Sequence, residues 1–186
     1  SIIASNQNNS LFFFNKKNGE ILKLIPTEEV IVKNKFLNNL SLSQNTLFYL
    51  NTYGSLYSID VKNFKINWFI NLNQSIQVDV GNLFSAMPIV NNSSRIVISS
   101  NLSTFIIDSN TGEIITKKNF SASVRPIIQN NYVFLITEEN LLISINLING
   151  DIIYSYDINE QIAQFLKIKK DTAHFKSLMF ANNKIL

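Results

Sequence analysis

The chain has no cysteine and a single histidine, His174. That excludes disulfide staples, thiol nucleophiles, Cys-ligated metals and any site needing two imidazoles. No apolar run approaches the roughly 18 residues of a membrane-spanning helix, and the N-terminus does not read as a signal peptide. There is no Gly-rich phosphate loop and no Gly-x-Ser-x-Gly elbow. A basic block is also missing. The net charge is +3, but 16 Lys+Arg are scattered among 13 Asp+Glu, and the densest run is Lys167-Ile168-Lys169-Lys170. Nucleic-acid binders concentrate positive charge on one face, so that class is disfavoured. The acids are spread singly. Glu28-Glu29 and Glu138-Glu139 are the adjacent pairs, and both read as solvated turns, not acid/base dyads.

What is present is a chain able to bury a core, 46% hydrophobic and 16% charged. Its 28 Asn sit between apolar runs and form no tracts, so low complexity is excluded, and Asn-x-Ser sequons arise by chance at this composition. Four segments line up without gaps, Leu11–Lys23, Leu56–Trp68, Thr104–Thr116 and Leu142–Tyr154. Each carries an apolar run ending in Asp or Asn (Asn15, Asp60, Asp108, Asn146), and three have Gly four residues later (Gly19, Gly112, Gly150). Phe64 breaks the pattern. The anchors are 45, 48 and 38 residues apart, a period that fits a four-stranded propeller blade.

Turn chemistry supports hairpins. The anchor side chain accepts backbone N–H bonds two residues on, and Gly supplies the positive φ that reverses the chain. Two further strands precede each anchor, and Pro88 and Pro126 stand where a missing N–H is tolerated. The expected fold is an all-β propeller of four-stranded antiparallel blades, about four of them, in one domain over 1–186. The blades span about 1–25, 36–72, 86–120 and 125–158, with an incomplete one at 175–186. Helical spacing of Ile158, Ile162, Phe165 and Leu166 leaves two readings for 159–169, a short helix or an irregular plug. The ends also leave two readings, a four-bladed ring closed by the terminal strands or a piece of a larger ring. The last strand stops in mid-pattern, which favours the piece.

The repeat resembles the quinoprotein-type (PQQ-like) propeller. The clearest copies are Gly54-Ser55-Leu56-Tyr57-Ser58-Ile59-Asp60 with Trp68, and Phe105-Ile106-Ile107-Asp108 with Thr111-Gly112. Lys23, Thr116 and Tyr154 stand where Trp is usual. The resemblance implies that Trp68 and the turn glycines dock neighbouring blades. One branch of that family, the quinone-dependent dehydrogenases, would require Ca²⁺, clustered carboxylates and commonly a vicinal disulfide. With no cysteine and no clustered acids, neither catalysis nor a cofactor or metal is expected. The chain is most similar to the other branch, the periplasmic propeller lipoproteins of the outer-membrane β-barrel assembly machinery. These are non-catalytic eight-bladed scaffolds that dock onto the periplasmic domains of the barrel insertase. The resemblance implies a protein partner, no nucleic acid, a location at the periplasmic side of the outer membrane, and a lipid anchor outside this chain. The alternative function is a fragment of a quinone-dependent dehydrogenase or a small-ligand sensor.

Propellers bind through loops at a rim or the channel. The longest connection, 73–86, carries Ile76, Val78, Asp79, Val80, Leu83 and Phe84. Two readings are open for it, a docking patch or a plug tucked beneath the blade. Arg125, one of two arginines, precedes Pro126 at the start of a first strand, where it can meet a partner carboxylate or bond between blades.

Overall fold

The computed structural model describes residues 1–28, 38–73, 83–100, 102–182 and 184–185, which divide into two compact units, Ser1–Ser85 and Ala86–Leu186. In the first unit, β1 (Ile2–Ser5), β2 (Leu11–Phe14) and β3 (Ile21–Ile25) form one sheet. The second sheet holds β4 (Asn39–Ser43), β5 (Thr46–Leu50), β6 (Ser55–Asp60) and β7 (Lys65–Asn71). In the second unit, β8 (Val90–Asn91), β9 (Arg95–Ser99), β10 (Thr104–Asp108) and β11 (Ile114–Lys118) form the third sheet. The fourth comprises β12 (Ile127–Gln129), β13 (Tyr132–Ile136), β14 (Leu141–Asn146) and β15 (Ile152–Asp157). Helix α1 (Ile158–Leu166) follows, then the hairpin β16 (Phe180–Ala181) and β17 (Lys184–Ile185). Every strand pairs antiparallel with its sequence neighbour. Three full blades thus lie between partial ones.

Position within the blade decides burial. The middle strands β5, β6, β9 and β10 are buried along nearly their whole length, as continuous apolar runs covered on both faces should be. The fourth strands β3, β7 and β15 are largely exposed. One core in the first unit joins Leu11 and Phe13 to Leu47, Tyr49 and Ile59. In the second unit, Val97 and Ile106 meet Val133, Leu135, Ile143 and Ile145.

The four copies agree in detail. Each third–fourth strand pair carries a bulge one to two residues before its anchor, at Phe13/Phe14, Ser58/Ile59, Ile106/Ile107 and Ser144/Ile145. A bulge there sharpens the twist of the outer strand. The turn glycines have φ of +75° (Gly19), +77° (Gly112) and +77° (Gly150), and Phe64 adopts +55° in the same place. The phenylalanine therefore keeps the turn despite its side chain. Its ring stands edge-on to Phe13, 5.0 Å away, within the first unit's core, and that packing offsets the strain of a left-handed backbone. Asparagine does much of the remaining left-handed work. Asn9, Asn130, Asn140 and Asn182 all have positive φ, at strand-to-strand turns.

Helix α1 settles the reading of 159–169. Asp157 caps it by accepting the Glu160 N–H at 3.0 Å, and Lys167 ends it in the left-handed conformation. Asn159 and Ala163 are its buried residues. The apolar stripe of Ile162, Phe165 and Leu166 faces solvent instead.

Candidate functional site

The repeat residues are engaged in building turns. Asp108 Oδ1 accepts the N–H groups of Asn110 and Thr111 at 2.9 and 3.1 Å, and Asp60 Oδ1 those of Lys62 and Asn63 at 2.7 and 3.1 Å. Asn15 and Asn146 each accept one, from Lys17 at 2.9 Å and Ile148 at 2.8 Å. The Lys62 and Asn63 N–H groups hold the Asp60 carboxyl below the usual carboxylate range. Burial opposes the charge on Asp108, but the Asn110 and Thr111 N–H groups and Arg95 outweigh it and leave its pKa lowered. Glu138 and Glu139 are exposed on their turn, as expected of solvated residues.

Trp68 belongs to the second sheet. It is half-buried on β7, with its ring 6.1 Å from Phe48 of its own sheet. Contact between sheets is made at the equivalent position of the next copy. A Cβ added to Gly150 would come within 2.7 Å of the Thr116 Cβ, so the fourth sheet's turn is seated directly on β11.

Ile76, Val78, Asp79 and Val80 lie outside the described residues, as does Glu29. Leu83 and Phe84 are half-buried. The Phe84 N–H donates to the Thr52 carbonyl at 2.8 Å, and its ring lies against Gly54, where an added Cβ would approach Phe84 Cδ2 at 2.9 Å. At Phe84 the tucked-under arrangement holds. Only a glycine at position 54 leaves room for that ring.

Arg125 sits differently. It is exposed, makes no hydrogen bond or ion pair among the described residues, and lines an open groove of about 370 Å³. The walls come from the first strands of three successive sheets. Val90 and Asn91 belong to β8, Pro126 and Ile127 lie at β12, Leu178 precedes β16 and Phe180 opens it. Among the described residues, Arg125 is the one charged side chain of the lining. The arrangement offers a fork of N–H donors beside an apolar trough, which suits a carboxylate carried next to apolar groups.

Two constellations were not legible as sites. Arg95 ion-pairs with Asp108 at 2.8 Å and donates from Nε to the Leu147 carbonyl at 2.9 Å, linking the third sheet to the fourth. Its signal was register, since Arg95 lies directly opposite Asp108. Glu28 is no free surface acid. Its carboxylate accepts from Ser55 Oγ at 2.6 Å, Asn51 Nδ2 at 2.6 Å and Tyr57 Oη at 2.8 Å. Burial works against that charge, but the hydrogen bonds prevail and the pKa is lowered. Nearby, burial foremost pushes the Tyr49 and Tyr57 phenols up. The network ties the first sheet to the second, because Asn9 Nδ2 donates to the Glu28 carbonyl at 3.1 Å and Thr52 Oγ1 to Asn9 Oδ1 at 3.1 Å. Among the described residues, no three of His, Cys, Asp or Glu converge as a metal site would need.

Comparison with protein families and with curated protein sequences finds no match. Solved structures do match. BamB from Moraxella catarrhalis superposes with a TM-score of 0.60 at 10% identity, over 82% of this chain and 48% of that one. The computationally designed Ika8 protein gives 0.68 at 12% identity, over 98% and 50%. The quinohemoprotein alcohol dehydrogenase from Comamonas testosteroni gives 0.51 at 7% identity, over 63% and 20%. The fold is that of a partial β-propeller, in four-stranded antiparallel blades. The chain spans about half the length of the first two.

Proposed function

We propose that this chain is a non-catalytic docking propeller that binds a partner protein along the Arg125 groove. The groove itself carries the reading, since it joins a guanidinium with no ion pair among the described residues to apolar walls, and no described acid lines it. The carboxylates described above support it from the other side. Asp60, Asp108 and Glu28 are each committed to turns or inter-sheet bonds, and so are spoken for structurally. Following the repeat's resemblance, the partner is the periplasmic portion of an outer-membrane barrel insertase. The chain then works at the periplasmic side of that membrane. Titration calorimetry with those periplasmic domains tests this. Arg125→Glu should weaken binding about tenfold or more through like-charge opposition, and Arg125→Lys much less. Absence of binding by the unmodified chain, or binding indifferent to Arg125→Glu, would overturn it.

One observation favours a second reading. A groove of about 370 Å³ is within the size range of small-molecule sites. A small-ligand sensor or quinone-dependent dehydrogenase would be stabilised thermally by the quinone cofactor with Ca²⁺, in proportion to ligand over Kd. The docking reading requires no such response.

A further inference from the structure

A second surface lies apart from the groove, on the finger that follows β15. The finger is built, not frayed. Asp157 caps helix α1, and Lys170 returns to the same carboxylate at 2.5 Å. The Ala173 N–H donates to Asn159 Oδ1 at 3.0 Å, and the Ile168 N–H to the Ala163 carbonyl at 3.1 Å. These bonds close a base at 157, 159, 170 and 173. They leave a tip at 165–169, about 13 Å along the helix from its start. The tip is apolar and bare. Phe165 is 86% exposed, Leu166 55% and Ile168 56%. Phe165 is the most exposed large hydrophobic among the described residues, and a contiguous exposed apolar patch marks an interaction site. Around these three residues stand Lys167 and Lys169, both exposed and without an ion pair among the described residues. No acid occurs between 161 and 170.

We infer that this tip inserts into an anionic phospholipid surface. The match is one of charge and polarity together. Phe165, Leu166 and Ile168 are long enough to enter the acyl boundary, while Lys167 and Lys169 remain level with the phosphates. Lys170 adds little, since Asp157 already neutralises it. The inference is independent of the groove reading, and none of its residues lines that groove.

Vesicle co-sedimentation tests it, using phosphatidylcholine alone and phosphatidylcholine mixed with phosphatidylglycerol. The chain should partition into the anionic vesicles and less into the neutral ones, with binding falling as salt rises. Phe165→Ser with Leu166→Ser should reduce partition at least tenfold. Lys167→Glu with Lys169→Glu should remove the anionic preference, at about fivefold or more per lysine. Leu102→Ser, at another exposed apolar position, should change nothing. All these positions are exposed, so the variants keep the fold, which circular dichroism checks. Equal binding by the Phe165/Leu166 variant, or no binding by the unmodified chain, overturns the inference. So does a dimer in sedimentation that this variant dissolves, since the tip would then serve a second copy.

Discussion

The turns at Gly19 and Gly150 share a motif, a backbone conformation and a hydrogen bond. Their φ angles are +75° and +77°, and each glycine N–H donates to its anchor's carbonyl at 2.8 Å. Their surroundings differ completely. Around Gly19 a new Cβ would meet nothing within 4 Å, whereas at Gly150 it would collide with Thr116. The same six-residue turn is thus a local reversal in one blade and a packing joint in another. A repeat fixes the backbone of its turn, and the neighbouring sheet sets how much that turn weighs in stability. Phe64 supplies a third case, in which the left-handed position is held by a side chain that packs instead of by one that is absent.

Substitutions can break this comparison. Gly150→Ala should have the largest effect, about 3 kcal/mol in denaturant unfolding, because left-handed strain and overpacking add. If it costs no more than Gly19→Ala, the joint has no weight. Phe64→Ala comes next at about 2 kcal/mol, since it empties a partly buried ring site and keeps the strained backbone. Phe64→Gly should be more stable than Phe64→Ala by about 1 kcal/mol, which isolates the backbone contribution. Gly19→Ala should cost only that backbone contribution, about 1 kcal/mol.

The smallest effect concerns the anchors. Asp60 and Asp108 titrate below the ordinary carboxylate range when folded and near 4 when unfolded. The stability they bring is therefore complete above about pH 5 and is lost as pH falls through the folded-state values. Asp60→Asn should lower the thermal midpoint at pH 7 slightly, because Asn15 and Asn146 build the turn with one accepted N–H where Asp60 accepts two, and should flatten the decline in acid. An unchanged acid decline would show that the Asp60 charge is not linked to folding.

Much of this architecture could be read from residues. Four anchors in phase gave the blades, and the apolar runs gave the buried middle strands. The spacing of Ile158, Ile162, Phe165 and Leu166 left a helix and an irregular plug both open, and did not tell which side the helix hides, because Asn159 and Ala163 take the buried face. The site was less legible. Arg125 could be singled out, but Val90, Leu178 and Phe180 come from strands far apart in sequence, and only pairing places them at one groove. Glu28 looked like a solvated acid because its three donors belong to the next sheet. Phe64 looked like a defect because a positive φ leaves no trace in a residue that usually avoids it.

Trp68 has one more consequence, and it concerns what an optical instrument can see. It is the chain's single tryptophan, and it lies in the first compact unit, beside Phe48. Emission excited at the red edge of protein absorbance therefore witnesses only residues 1–85. The second unit, with Tyr132, Tyr154 and Tyr156, stays dark to that wavelength. Far-ultraviolet dichroism counts strands from both. The two signals followed through one melt act as separate reporters for separate halves, and any gap between their midpoints measures how far each unit unfolds independently of the other.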